Sequence, residues 1–222
     1  MIWNIPNILT VLRLLCAPAV ALVFLALPHP ISDWAAIILF VGASLTDWFD
    51  GYLARKWDQM SRFGAMLDPI ADKAMVVTAI AVLAMNFGAN TLIIIPAAFI
   101  LLRETFVSGL REFLGEIAGL LKVTKLAKWK TTAQMVSIAV LFSYGLFSHY
   151  VGMGTFGMDG ATIDAILLGE IADETGLTWK YHGMIWSYNG GIALLWVAAI
   201  LTVLTGGDYL MKAMPFLRED ET

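Results

Sequence analysis

Apolar residues fall along this chain in six long blocks separated by short polar breaks. A bilayer core takes about 20 mostly apolar residues per helix, and roughly 7–27, 33–53, 65–87, 91–113, 131–150 and 184–205 each meet that length. Breakers such as Pro28-His29-Pro30 and Gly88-Ala89-Asn90 separate several of them. The pattern predicts an all-α integral membrane protein, a six-transmembrane-helix bundle forming one domain over 1–222. Met1 to Ile5 carry no Lys or Arg, unlike the n-region of a signal peptide, so the first block is read as a permanent span. Between the fifth and sixth blocks lies a link of about 34 residues, in which Ala161 to Ala172 is expected to form a short amphipathic helix on the membrane surface.

Composition agrees. The chain is 59% hydrophobic and 14% charged, with a mean hydropathy of +0.76. Soluble domains carry about 45–50% apolar and about 25% charged residues, so the solvent here is largely lipid. A net charge of -4 gives no reason to expect a nucleic-acid partner. Cys16 is the only cysteine, which excludes a disulfide framework and a thiolate metal site.

The charges are segregated, and their distribution sets an orientation. Arg55, Lys56 and Arg62 follow the second block; Lys122, Lys125, Lys128 and Lys130 follow the fourth, with Arg111 at its edge. The links after the first and third blocks have neither Lys nor Arg. The link after the fifth has only Lys180 against Asp159, Asp164, Glu170, Asp173 and Glu174. Both termini and the two basic links are therefore expected in the cytoplasm, and the acidic link outside.

Carboxylates in or beside a membrane are costly, which makes them functional candidates. Asp47, Asp50, Asp68 and Asp72 stand out; Asp58, among Arg55, Lys56 and Arg62, reads as solvated. At 100° per residue Asp47 and Asp50 lie about 60° apart on one helix, and Asp68 and Asp72 about 40° apart on the next. The two helices are antiparallel neighbours, so both pairs come to the same membrane surface. Four carboxylates there would repel unless a cation neutralised them. An all-oxygen donor set selects Mg²⁺, Mn²⁺ or Ca²⁺ over Zn²⁺. Gly51, Ala54 and Gly64 remove bulk beside the acids, so that a ligand or a neighbouring backbone can come close. Arg55 lies one turn beyond Gly51, where it can reach a phosphate. A purely structural reading, with the acids capping helices or pairing with Arg55, Lys56, Arg62 and Lys73, accounts for one or two of them and not for four at this spacing.

Written out, the motif is Asp47-x2-Asp50-Gly51-x2-Ala54-Arg55-x8-Gly64-x3-Asp68-x3-Asp72. It resembles, at every fixed position, the signature of the CDP-alcohol phosphatidyltransferases. That resemblance implies six transmembrane helices, a homodimer, and two divalent cations, Mg²⁺ or Mn²⁺, among Asp47, Asp50, Asp68 and Asp72. It implies displacement of CMP from a CDP-linked lipid by an alcohol, with Asp72 accepting the hydroxyl proton and Gly51, Ala54, Arg55 and Gly64 on the CDP-lipid surface.

The acceptor must be read from elsewhere. Arg103 sits in an apolar run and is followed by Glu104, while Arg111, Lys128 and Lys130 flank the next link. Cations facing one cavity suit an anionic acceptor such as a polyol phosphate. Arg103, Arg111, Lys128 and Lys130 are the candidates for its phosphate, and Arg13 is a further one. Asn4-Ile5-Pro6-Asn7-Ile8-Leu9-Thr10 with Arg13, Thr46 to Arg55, Phe63 to Lys73, Arg103-Glu104 with Ser108-x-Leu110-Arg111-Glu112, and Lys128 to Met135 make the chain most similar to the bacterial branch of that family acting on glycerol 3-phosphate. The resemblance implies CDP-diacylglycerol as donor and a multi-pass protein of the inner membrane with a cytoplasmic active site. Ala127, where that branch often has glycine, and the long outer link depart from it. The alternatives are the same reaction with phosphatidylglycerol, serine or an inositol phosphate as acceptor, and, in another class, a divalent-cation transporter.

Overall fold

Local chemistry starts and stops the first four helices within a few residues of the predicted blocks. In a computed structural model, which describes residues 4–56, 61–115, 119 and 125–217, with backbone alone for 47–55 and 125, every described secondary-structure element is helical. Helix α1 (Ile5–Ala26) is capped by Asn4, whose side chain accepts from Asn7 N at 3.0 Å, with Pro6 in the first turn, where a missing N–H costs nothing. Helix α2 (Ile31–Lys56) leads to α3 (Arg62–Phe87), which Ser61 caps by accepting from Gly64 N at 3.0 Å. Asn90 caps α4 (Thr91–Leu114) through Leu92 N, and Gly115, at φ 53°, ends it in the left-handed region. Helices α5 (Lys125–Gly154), α6 (Gly160–Leu167) and α7 (Leu177–Leu217) complete the chain.

Helices α1, α3, α4, α5 and α7 are each long and apolar enough to cross a membrane, and the described apolar part of α2, Ile31–Thr46, is shorter. Leu15, Leu25, Ile38 and Leu102 are more than half exposed on outward helix faces. Apolar surface of this kind is stable against lipid and unfavourable in water, at about 25 cal/mol per Å². The protein is a multi-pass membrane protein.

Two predicted blocks proved to be the middles of longer helices. The block expected at 184–205 belongs to a 41-residue α7, about 60 Å long against a hydrocarbon core of about 30 Å. Hydropathy reports only the part of a helix that lipid surrounds. Beyond it α7 continues with polar side chains, including the i,i+4 pair Asp208–Lys212 at 2.7 Å. Helix α5 likewise extends past 131–150 at both ends. The outer link shrinks to residues 155–176, and its helix α6 starts and stops earlier than 161–172, with Gly169 at φ 79° just past its end. Helix α6 lies against α7 with Ile166 buried.

The apolar core runs through the bundle, with Phe40, Leu83, Ile93, Ile100, Ile138, Phe142 and Leu195 buried together. Helix α5 packs most closely along α7, where a Cβ on Gly191 would stand 2.7 Å from Leu141 Cδ2. Helix α1 packs on α2 and α3, and α4 on α7. Alternating direction gathers the starts of α1, α3 and α5 with the ends of α4 and α7 at one end of the bundle.

Candidate active site

The buried face of α1 is polar for its first turns and apolar afterwards: Asn7, Thr10 and Arg13 precede Ala17 and Val20. Their i+3 spacing keeps the three polar residues on one face. That face meets the row Gly64, Asp68 and Asp72 of α3, rung against rung. Ser61 Oγ donates to Asn7 Oδ1 at 2.7 Å, and a Cβ on Gly64 would stand 2.7 Å from the same oxygen. Thr10 Oγ1 lies 2.7 Å from Asp68 Oδ1 as donor, and 3.1 Å from the Pro6 carbonyl. Arg13 Nη1 donates to Asp72 Oδ1 at 2.9 Å. Both described carboxylates are thus held by donors from another helix. Gly64 is buried in this seam, which explains its lack of a side chain by packing.

The side chains of Asp47, Asp50, Gly51, Ala54 and Arg55 lie outside the described residues; the α2 backbone carries them through its last turns. No group of three His, Cys, Asp or Glu side chains gathers among the described residues. Asp68 and Asp72 fit one half of a hard-cation site: two carboxylates one helical turn apart, each oriented by a donor on α1, with Asp72 44% exposed.

Beside Asp72 opens a cavity of about 260 Å³, lined by Lys73, Arg103, Glu104, Arg111, Lys130 and Gln134 among others. Three of the four predicted acceptor contacts are therefore brought together. Lys128 is not among the lining residues and is exposed. Arg13, the further phosphate candidate, is buried and bound to Asp72. With all ionised, four cationic and two acidic lining side chains leave an excess of two positive charges, which suits a phosphate dianion.

Glu104 organises the cations. Lys130 Nζ, on a 5% exposed residue, pairs with Glu104 Oε1, and Arg103 Nη1 donates to the same oxygen at 3.1 Å. Lys73 donates to Ser108 Oγ. Two buried polar atoms of lining residues, Arg103 Nε and Gln134 Oε1, have no hydrogen-bond partner in the structure. Burying such groups unmatched costs about 1–3 kcal/mol each, which a polar ligand can recover. Sequence reasoning gave Thr10, Glu104 and Gln134 no role. All three stand within the stretches that carried the resemblance, but Thr10 meets Asp68 and Glu104 meets Lys130 only across helices.

Fold and site define a multi-pass membrane protein with carboxylates and clustered cations at one end of its bundle. The CDP-alcohol phosphatidyltransferase family model matches residues 3–158. A CDP-diacylglycerol–glycerol-3-phosphate 3-phosphatidyltransferase of Cereibacter sphaeroides is 52% identical over 219 residues, 99% of each chain. A protein of that description from Escherichia coli strain K12 is 41% identical over 213 residues, 95% of each. Another from Shigella flexneri is 42% identical over 157 residues, 69% of this chain and 85% of the relative. The chain belongs to the CDP-alcohol phosphatidyltransferase family, and it is a transferase.

Proposed function

We propose that this protein transfers the phosphatidyl group of CDP-diacylglycerol to glycerol 3-phosphate, releasing CMP and forming phosphatidylglycerophosphate. The observation that carries the reading is the cavity in which Asp72 faces Arg103, Arg111 and Lys130. It pairs a proton acceptor with cations that suit an anionic acceptor. The relatives' names supply both substrates.

An apolar groove of about 370 Å³ between α2 and α5, lined by Phe40, Val41, Leu45, Val136 and Ala139, shares Met135 with that cavity. A donor acyl chain seated there would keep its tail in apolar surroundings while its pyrophosphate reached the aspartates. Arg103, Arg111 and Lys130 hold the acceptor phosphate, with Lys128 at the cavity's approach. Gly51, Ala54 and Arg55 form the CDP-lipid surface, while Gly64, expected there too, is buried against Asn7 and serves the seam behind it. Asp72, fixed by Arg13, takes the proton from the acceptor hydroxyl as its oxygen bonds to the phosphatidyl phosphorus and the bond to CMP breaks. Two divalent cations, Mg²⁺ or Mn²⁺, held by Asp47, Asp50, Asp68 and Asp72, would supply neutralisation of the pyrophosphate and of charge developing on the leaving CMP.

The same reading gives six spans, both termini and the site on the cytoplasmic side of the inner membrane, and a homodimer. The Lys/Arg asymmetry supports the orientation, and the family resemblance supports the span count and the assembly.

The test is CMP release by purified protein in detergent with CDP-diacylglycerol, glycerol 3-phosphate and Mg²⁺ or Mn²⁺, beside Asp68→Asn. Metal-dependent turnover in wild type alone is the expected result. Turnover with phosphatidylglycerol, serine or an inositol phosphate, and none with glycerol 3-phosphate, would move the acceptor. Silence with every acceptor in folded protein would overturn the reaction, and metal flux in proteoliposomes would then favour a transporter.

A further inference from the structure

Helix α7 lies wholly beyond the part of the chain that the family model matches, residues 3–158, yet its final turns pack on α4 beneath the cavity cations. Gly206 of α7 is buried, and a Cβ built on it would stand 3.0 Å from Arg103 Cγ and 3.8 Å from Arg103 Nε. The aliphatic stem of Arg103 therefore runs across the α7 backbone at a point where any side chain would press on it. One turn on, Tyr209 is buried with Ala213 against Val107, Leu110 and Leu114 of α4. Arg111 sets its guanidinium carbon 5.3 Å from the centre of the Tyr209 ring, within cation–π range. Arg103 and Arg111 both line the cavity with Asp72.

Two residues one turn apart on one helix thus each set one arginine, by different means. Gly206 leaves room for a stem, and Tyr209 offers a ring face to a guanidinium. We infer that Gly206 and Tyr209 are positioning residues for acceptor binding, acting through Arg103 and Arg111, so that α7 tunes affinity for the acceptor phosphate and leaves donor binding to α2 and α3. The inference rests on the assignment of this cavity to a phosphorylated acceptor.

A glycine replaced within a helix changes helix propensity as well as space. Gly207, whose added Cβ would meet nothing within 4 Å, separates the two effects. Steady-state CMP release, with glycerol 3-phosphate and CDP-diacylglycerol varied in turn, is measured for wild type, Gly206→Ala, Gly207→Ala, Tyr209→Phe and Tyr209→Leu. Gly206→Ala and Tyr209→Leu are expected to raise KM for glycerol 3-phosphate about tenfold, with kcat and the donor KM within about twofold of wild type. Gly207→Ala and Tyr209→Phe, which keep the open space and the ring, are expected to match wild type.

In an Arg103→Ala background, Gly206→Ala should add nothing further to the acceptor KM, because its effect passes through the missing side chain. An undiminished effect there, an equal rise in donor KM, or no change in Gly206→Ala overturns the inference. If Gly206→Ala does not yield folded protein, Tyr209→Leu in an Arg111→Ala background gives the same decision. If Arg103→Ala and Arg111→Ala themselves leave the acceptor KM unchanged, the assignment of the cavity fails, and that result is distinct from failure of α7 to position them.

Discussion

Arg13 of α1 donates from Nη1 to Oδ1 of Asp72 on α3 at 2.9 Å, with the guanidinium side chain 2% exposed and the carboxylate side chain 44% exposed. The cation is sealed inside the bundle while the acid it holds faces the cavity. A carboxylate that must meet a substrate is thus oriented from behind, by a donor the substrate does not displace.

Removing that donor is expected to injure both fold and turnover. Arg13→Ala leaves Asp72 without its buried partner and should cost about 1–3 kcal/mol of stability, with kcat reduced at least about tenfold by misorientation. Arg13→Lys restores charge without the planar fork, so it should recover part of each. Thermal unfolding in detergent and CMP release check the two effects. Unchanged kcat in a folded Arg13→Ala protein would separate Arg13 from catalysis.

Thr10 performs the lesser version of the same task for Asp68. Thr10→Val removes the hydroxyl at nearly constant volume. If Asp68 holds a divalent cation, loss of a donor to the ligand should weaken the metal by roughly 10–100-fold. Turnover titrated with Mg²⁺ or Mn²⁺ should show a higher half-saturating concentration and a nearly unchanged maximum, and Thr10→Ser should behave like wild type.

Lys130 and Lys128 sit two residues apart and are expected to differ sharply. Lys130 is buried, pairs with Glu104 and lines the cavity; Lys128 is exposed outside it. Lys130→Ala should raise the acceptor KM by about tenfold or more, since the partly buried Glu104 also loses one of its two cationic partners. Lys128→Ala should stay within about threefold, as screened surface charges do. Equal effects would place the acceptor phosphate nearer the mouth of the cavity than its lining residues suggest.

At the opposite end, Gly145 and Asp33 predict a fold defect with no catalytic one. A Cβ on Gly145 would stand 2.1 Å from Asp33 Oδ1, and Asp33 is 1% exposed and paired with His29 Nδ1 at 2.6 Å. Gly145→Ala must push a buried carboxylate off its seat, so a loss of about 1–3 kcal/mol is expected. Acceptor and donor KM should remain those of wild type in the protein that folds.

In the outer link, Asp173 accepts from Leu177 N at 2.7 Å and Thr178 N at 2.8 Å, capping α7. The Thr178 amide first, with the neighbouring donors, holds its carboxyl below the usual carboxylate range. A group whose pKa is lowered by folding stabilises the fold fully above its unfolded pKa of about 3.9 and loses that contribution as pH falls through the folded value. The gap in melting temperature between wild type and Asp173→Ala should therefore be constant from pH 5 to 8 and shrink below about pH 4. A gap that persists unchanged at pH 3 would show that the carboxylate's charge is not what caps the helix.

How much of this was legible beforehand follows the range of each interaction. Helices α1, α3 and α4 began and ended within a few residues of their predicted blocks, because caps such as Asn4, Ser61 and Asn90 act on neighbours two or three residues away. Spacing alone also set the expected faces of the Asp47 to Asp72 motif: Asp68 and Asp72 lie one turn apart facing α1, while the side chains of Asp47 and Asp50 lie outside the described residues. The lengths of α5 and α7 were not legible, since hydropathy stops at the lipid boundary and a helix held by its neighbour does not.

The sequence by itself determined that the chain lives in lipid, roughly where its long helices run, and which acids and cations are the candidates for its chemistry, because hydropathy and helical periodicity are local properties. Only the tertiary structure decided which partner each takes: Thr10 for Asp68, Arg13 for Asp72, Glu104 for Lys130, Gly206 for Arg103. Such pairs join helices far apart in the chain. Their geometry comes from how the helices pack, and no spacing along one segment contains it.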